Sequence, residues 1–321
     1  MSSPPLLEVH ELSKVFPVKG GVLGKIVGGV RAVDRVSFSV QPGEIFGLVG
    51  ESGCGKTTLG RMLLRLIEPS SGSVMFDGEL ITALDRKALR PFRRRMQMVF
   101  QDPFGSLNPR KTVGSIVGEP LRIAGIPSKE VDLEVGKLLN TVGLPEASSG
   151  RYPHEFSGGQ RQRIGVARAL ILKPEFLLAD EPVSALDVSI QAQILNLLME
   201  LKDHFSLTML FISHDLRVIR SLCDRVAVMY LGRIVEVGPV EEIYTNPVHP
   251  YTEALIQSIP EPDPRKRKKG YGPEGEIPSP SAPPPGCHFH TRCPLKTDIC
   301  LKVVPELSER EGGRRAACHV R

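Results

Sequence analysis

The sequence predicts an α/β fold: a mainly parallel sheet with its helices, a helical subdomain inserted into that core, and a small cysteine-rich extension at the C-terminus. Three observations carry the expectation. Up to about residue 240, β-branched runs alternate with helical patterns, as strand–helix–strand units do. From Phe92 to about Tyr152 the pattern turns helical, punctuated by Pro and Gly. Four of the six cysteines, Cys287, Cys293, Cys300 and Cys318, crowd into the chain's last stretch, in "PPPGCHFHTRCPLKTDIC" and "ACHV".

The stretch "GGVLGKIVGGV" (20–30) is glycine-rich between two strand-like segments and reads as a long hairpin loop. "EIFGLVG" (44–50) reads as a buried strand, and "KTTLGRMLLRLI" as the helix after it. "FLLAD" (176–180) and "LTMLFIS" (207–213) are two more central strands, each ending at polar residues. "VAVMYLGRIVEVG" reads as a hairpin with Gly232 in its turn. From Pro260 the chain becomes a Pro- and charge-rich linker that contains "RKRKK" (265–269), read as a solvated stretch with anionic lipid as the minor alternative. The expected organisation is a main domain over 1–240, with its helical subdomain at about 92–165, and an extension over 241–321. There is no internal repeat.

A formal charge of +5 on 321 residues is modestly basic and does not call for nucleic acid. No stretch approaches the roughly 20 apolar residues that cross a bilayer, and "MSSPPLLEVH" lacks the pattern of a signal peptide. The chain is therefore expected in the reducing cytoplasm, where clustered cysteines bind metal more often than they form disulfides.

"GESGCGKTTLG" contains Gly50, Gly55, Lys56 and Thr57 in the P-loop spacing G-x-x-x-x-G-K-[ST], after a strand and at the start of a helix. Glycines let the backbone wrap a phosphate so that N–H groups and the helix start face its charge. Lys56 supplies a point charge to the terminal phosphates, and Thr57 a hydroxyl ligand for Mg²⁺. "FLLADEP" adds the acidic pair such a site needs: Asp180 to hold Mg²⁺ and Glu181 to polarise the attacking water. In "FSGGQRQRIGVARAL", Ser157, Gly158 and Gly159 open a second helix that could hold phosphate. One site does not need two such helix starts. The economical reading is that this one faces the ATP of a second subunit, and the plain alternative is a helix capped by Ser157.

At this point the chain resembles the ATP-binding cassette of ABC transporters over about residues 6 to 245. "GESGCGKT", Gln101 in "VFQDP", "FSGGQ", "FLLADE", "SALD" ending in Asp187, and His214 in "ISHD" occur in the family's order. The resemblance implies a P-loop NTPase with a RecA-like core. It implies ATP binding by Gly50, Ser52, Gly53, Cys54, Gly55, Lys56, Thr57 and Thr58, and Mg²⁺ held by Thr57, Gln101 and Asp180. It further implies that Gln101 senses nucleotide, that Ser157, Gly158, Gly159 and Gln160 contact ATP, that Asp187 lies at a dimer interface, and that His214 meets the γ-phosphate. Phe16 in "LSKVFP" is the candidate for stacking on adenine; its plain alternative is a core position. Phe156 and Thr57 stand where Leu and Ser are commoner, and both keep the chemistry. Lys56, Glu181 and His214 are the expected catalytic set.

"FQDPFGSLNPR", "NPVHPYTEALIQSIP" and the cysteine tail resemble the ATPase subunits of the oligopeptide/dipeptide importer subfamily. That resemblance implies a homologous second ATPase, two transmembrane permeases and an extracytoplasmic substrate-binding protein as partners, at the cytoplasmic face of the membrane. Related importers carry nickel or sugars instead. A soluble ABC ATPase acting on nucleic acid or ribosomes is the reading from another class, but such proteins carry two cassettes or a coiled-coil insertion that this sequence lacks. "HPYTEAL" by itself is no more than a helix start. The spacing C-x5-C-x6-C-x17-C suits either zinc or an iron–sulfur cluster, and the subfamily resemblance points to [4Fe–4S]. Its expected role is structural, with the P-loop independent of it.

Overall fold

The computed structural model describes residues 4–20, 25–102, 105–259 and 275–321. The chain divides into two compact units, Met1–Ala83 with Phe211–Arg321, and Leu84–Leu210. "RKRKK" and the rest of 260–274 lie outside the described residues.

The first unit opens with β1 (Leu7–Gly20) and β2 (Lys25–Val40), an antiparallel pair running from Leu7↔Val40 to Gly20↔Lys25. The expected loop over 20–30 is thus mostly strand: Gly28, Gly29 and Val30 pair with Val18, Pro17 and Phe16. β-branched Val30 among the glycines favours the ladder over a loop. After β3 (Ile45–Val49) comes α1 (Lys56–Leu63). The helix stops short of the expected Ile67 because Arg65 turns left-handed (φ 48) and gives its guanidinium to Glu68 and the Ile81 carbonyl. β4 (Ser71–Phe76) and β5 (Glu79–Leu80) complete a four-stranded antiparallel sheet in the order β2-β1-β4-β5.

The second unit contains α2 (Leu89–Arg95), β6 (Met96–Val99), α3 (Val113–Ile123), α4 (Ser128–Thr141), α5 (Gly158–Leu170), β7 (Phe176–Asp180) and α6 (Val188–Phe205). β6 and β7 pair in parallel from Met96↔Phe176 to Val99↔Ala179. Arg95 and Glu175 clamp the entry to this pair with two 2.6 Å contacts. α3, α4 and α5 pack on one another and bury Val117, Val131, Leu139 and Val166. β8 (Thr208–Ser213), buried along its whole length, carries the chain back to the first unit.

There α7 (Leu216–Leu222) leads into β9 (Arg225–Tyr230) and β10 (Arg233–Pro239), an antiparallel hairpin as expected. Its two-residue turn uses Leu231 (φ 42) and Gly232 (φ 82), the paired left-handed conformations that match strand twist. β3 lies parallel to β9. α8 (Val240–Thr245), α9 (Pro250–Gln257), α10 (Asp298–Lys302), β11 (Ser308–Arg310) and β12 (Arg314–Ala316) follow. β12 pairs with β10 at Glu236↔Ala316 and Val237↔Arg315, so the last residues extend the edge of the first unit's sheet. Among the described residues, no helix is long and apolar enough to cross a membrane.

The aromatic core of the first unit joins body and tail. Tyr230, Tyr251 and Phe289 are all at most 2% exposed, with ring centroids 4.6 Å apart for the tyrosines and 5.3 Å from each to Phe289. Such pairs add about 0.5–1.5 kcal/mol each beyond the burial itself.

Candidate nucleotide site

In the first unit the P-loop joins β3 to α1. Gly55 caps the helix at φ 110, and a Cβ there would stand 2.1 Å from the Ala32 carbonyl oxygen, so only glycine fits. Lys56 is 5% exposed; its Nζ donates to the carbonyls of Gly50 at 2.7 Å and Glu51 at 3.0 Å. The same nitrogen stands 3.8 Å from Cys54 Sγ, a thiol that burial pushes upward against the pull of Lys56. The Gly232 N–H donates to the Cys54 carbonyl at 2.9 Å, tying the hairpin turn to the loop. Thr57 and Thr58 sit in the first turn of α1, where hydroxyls and helical N–H groups can meet an anion and its counter-ion. His214 follows β8 directly, and Asp215 then caps α7 by accepting from the Arg217 N–H at 2.9 Å. Phe16 on β1 is 38% exposed with Lys14 Nζ 5.1 Å over its ring, so it is a surface ring rather than a core one.

In the second unit, Asp180 ends β7 at 1% exposure and Glu181 follows in the left-handed region (φ 46). A left-handed glutamate is strained, and such strain concentrates where a side chain must be aimed. Gln101 Nε2 donates to Glu181 Oε2 at 3.1 Å, so two residues 80 positions apart meet. Ser157 caps α5 in a capping box: its Oγ accepts from the Gln160 N–H at 3.4 Å, and Gln160 Oε1 accepts from the Ser157 N–H at 3.0 Å. Gly158 and Gly159 form the first turn, facing Leu186 and Ile190. Asp187 is the N-cap of α6 and gives its carbonyl to the Ile190 and Gln191 N–H groups.

Sequence reasoning missed what holds the P-loop. The Glu51 N–H donates to Tyr251 Oη at 3.0 Å, and the Glu51 carboxylate is forked by Arg292. "HPY" therefore does more than start a helix. Pro250 occupies the first turn, His249 Nδ1 caps it by accepting from the Tyr251 N–H at 3.1 Å, and Glu236 accepts from the Val248 and His249 N–H groups at 2.8 and 2.9 Å. Motif spacing carries no trace of a contact between Glu51 and Arg292; the Pro-led helix start was the available clue for Tyr251.

All four tail cysteines are free thiols. The Cys287 N–H donates to the Cys300 carbonyl at 2.9 Å. Burial pushes Cys287 up to about 11, helped by the charges of Cys300, Cys293 and Cys318, and burial with Cys318 and Cys300 raises Cys293. The four thus share one neighbourhood. Among the described residues, however, no three His, Cys, Asp or Glu side chains are gathered closely enough to hold a single metal ion. His290 and His319 are engaged with the Cys287 and Val303 carbonyls.

Residues 33–184 match the family model described as ABC transporter, and 235–300 match that of the oligopeptide/dipeptide transporter C-terminal region. The oligopeptide transport ATP-binding protein AppF of Bacillus subtilis is 52% identical over 98% of this chain and 97% of its own length. A putative peptide import ATP-binding protein of Brucella ovis is 53% identical over 99% and 98%. The dimeric post-hydrolysis cassette MJ0796, bound to ADP and Pi, superposes with a TM-score of 0.65 at 28% identity over 73% of this chain and 98% of its own. With relatives this near over almost the whole length, the chain belongs to the ATP-binding proteins of ABC transporters and is an ATPase. Its C-terminal region is of the oligopeptide/dipeptide transporter type.

Proposed function

We propose that this chain hydrolyses ATP to drive uptake of di- and oligopeptides through partner permeases. The observation that carries the reading is its kinship with peptide-import ATP-binding proteins, which extends through the C-terminal region and not only the cassette. It works at the cytoplasmic face of the membrane with a homologous second ATPase, two permeases and an extracytoplasmic binding protein. Residues 1–240 form the cassette and 241–321 its extension.

In the first unit, Lys56 and the N–H groups of Gly50, Ser52, Gly53, Cys54 and Gly55 take the phosphates, Thr57 offers its hydroxyl to Mg²⁺, Thr58 lines the helix start, His214 meets the γ-phosphate and Phe16 stacks on adenine. In the second, Asp180 and Gln101 serve Mg²⁺, and Glu181 accepts the water's proton. The hydrogen bond from Gln101 to Glu181 supports that pairing by fixing the carboxylate's aim. Ser157, Gly158, Gly159 and Gln160 serve the nucleotide of the second ATPase, and Asp187 lies at that interface. Mg²⁺, when bound, neutralises phosphate charge as the γ-phosphoryl leaves.

Cys287, Cys293, Cys300 and Cys318 would hold a [4Fe–4S] cluster, which supplies a cross-link for a segment too Pro-rich to build its own core. Four cysteines in this one short segment supply the thiolates that a cationic iron core takes. The test of the transport reading is uptake of labelled peptide into proteoliposomes carrying the permeases and both ATPases. Peptide uptake that requires ATP on the ATPase face supports it. Uptake of nickel or sugar alone overturns it.

A further inference from the structure

Glu51 occupies a position in the P-loop where the phosphate-binding pattern makes no demand, yet both its backbone and its carboxylate are held by distant residues. Arg292 Nη1 donates to its Oε2 at 2.8 Å and Arg292 Nη2 to its Oε1 at 3.0 Å, a two-pronged fork. The arginine side chain is only 4% exposed and that of Glu51 21%, so water screens this pair little. Tyr230 Oη also accepts from Arg292 at 3.4 Å, and the guanidinium lies 5.8 and 5.9 Å from the rings of Tyr230 and Phe289. From the other side, Tyr251 Oη holds the Glu51 N–H. Arg292 sits between Cys287 and Cys293 in the tail. Residues Ile277, Pro278, Ser279 and Pro280 also border, with Glu51 to Cys54, a cavity of about 300 Å³. The tail thus reaches the P-loop twice.

A carboxylate beside a phosphate-binding loop opposes the nucleotide's negative charge. Its neighbour Lys56 already divides its donors between the Gly50 and Glu51 carbonyls. The Glu51 charge must therefore be cancelled and its backbone kept still for the loop to serve phosphates. We propose that Arg292 is a positioning residue for the P-loop, cancelling and anchoring Glu51, so that nucleotide affinity depends on the C-terminal cysteine segment. The inference rests on the reading of Gly50–Thr57 as the nucleotide loop. It also removes the independence of tail and P-loop that the sequence suggested, because the fork springs from the loop between two of the cysteines.

The experiment is calorimetric titration of the full chain, purified anaerobically, with MgATP. R292A is expected to weaken binding on the order of tenfold, the equivalent of 1.4 kcal/mol. R292K keeps the charge without the fork and falls between R292A and wild type. The double variant R292A/E51Q, which removes the stranded charge, recovers most of the lost affinity. High salt narrows the gap between R292A and wild type. A merely structural role predicts no rescue by E51Q and no salt dependence. R292M keeps the apolar stem against Tyr230 and Phe289 and is read the same way should R292A fail to fold. Unchanged affinity in R292A and R292M, or no recovery in the double variant, overturns the proposal. Absence of binding by wild type overturns the nucleotide reading instead.

Discussion

His249→Asn isolates one buried titratable group that stands behind the P-loop. His249 is 1% exposed, and burial lowers its pKa to about 3. Its Nδ1 accepts the Tyr251 N–H, so the folded ring must stay unprotonated there. In the unfolded chain the same ring titrates near 6.5. Between these values the unfolded chain binds a proton that the folded chain refuses. The stability is therefore complete above about 6.5 and drains as pH falls toward 3. Going from pH 7 to pH 5 costs the wild type about 2 kcal/mol through this ring, a figure insensitive to where below 4 the folded value lies. Glu236, whose pKa burial raises, works in the opposite sense, its contribution falling as pH rises. It is present in both proteins and cancels in the comparison. Asn is a good N-cap without a titration in this range, so His249→Asn loses packing equally at both pH values. The chain has no Trp and five Tyr, so tyrosine fluorescence during urea unfolding follows the tyrosines, Tyr230 and Tyr251 among them, without competing Trp emission. With m of about 2–3 kcal/mol/M, the wild-type midpoint should drop roughly 0.7–1 M more than the variant's between pH 7 and pH 5. Equal drops would refute the account of a neutral capping histidine.

Two further outcomes follow from the site. Ser157→Ala removes the capping-box acceptor and should cost α5 about 1 kcal/mol; MgATP binding to the isolated chain should hold while turnover of the assembled ATPase pair falls, and weakened binding in the isolated chain would show that this helix start serves its own nucleotide. Cys293→Ser, purified without oxygen, should lose the iron, the acid-labile sulfide and the brown colour of the wild type, whereas a colourless wild type with one zinc per chain would replace the cluster by zinc.

The nucleotide motifs were legible because their chemistry is local: glycines, Lys56 and Thr57 must follow one another at a strand–helix junction, and Ser157 with Gln160 closes its capping box within one turn. The Gly232 hairpin was legible for the same reason. The 20–30 segment was not, since its glycines outweighed Val30, whose pairing with Phe16 is decided by β1 across the ladder. Glu51, Tyr251 and Arg292 were beyond reach for a different reason. Their contacts join positions about 200 and 241 residues apart, and no periodicity or spacing records such a meeting.

The most direct measurement on the central claim, that this chain couples ATP hydrolysis to transport, compares Glu181→Gln with wild type in the assembled transporter. Steady-state phosphate release and MgATP binding are measured side by side. The amide can neither take the water's proton nor aim it as a carboxylate does, so turnover should fall by about 10²–10⁴ while binding is retained. Near-normal phosphate release by Glu181→Gln would contradict the account.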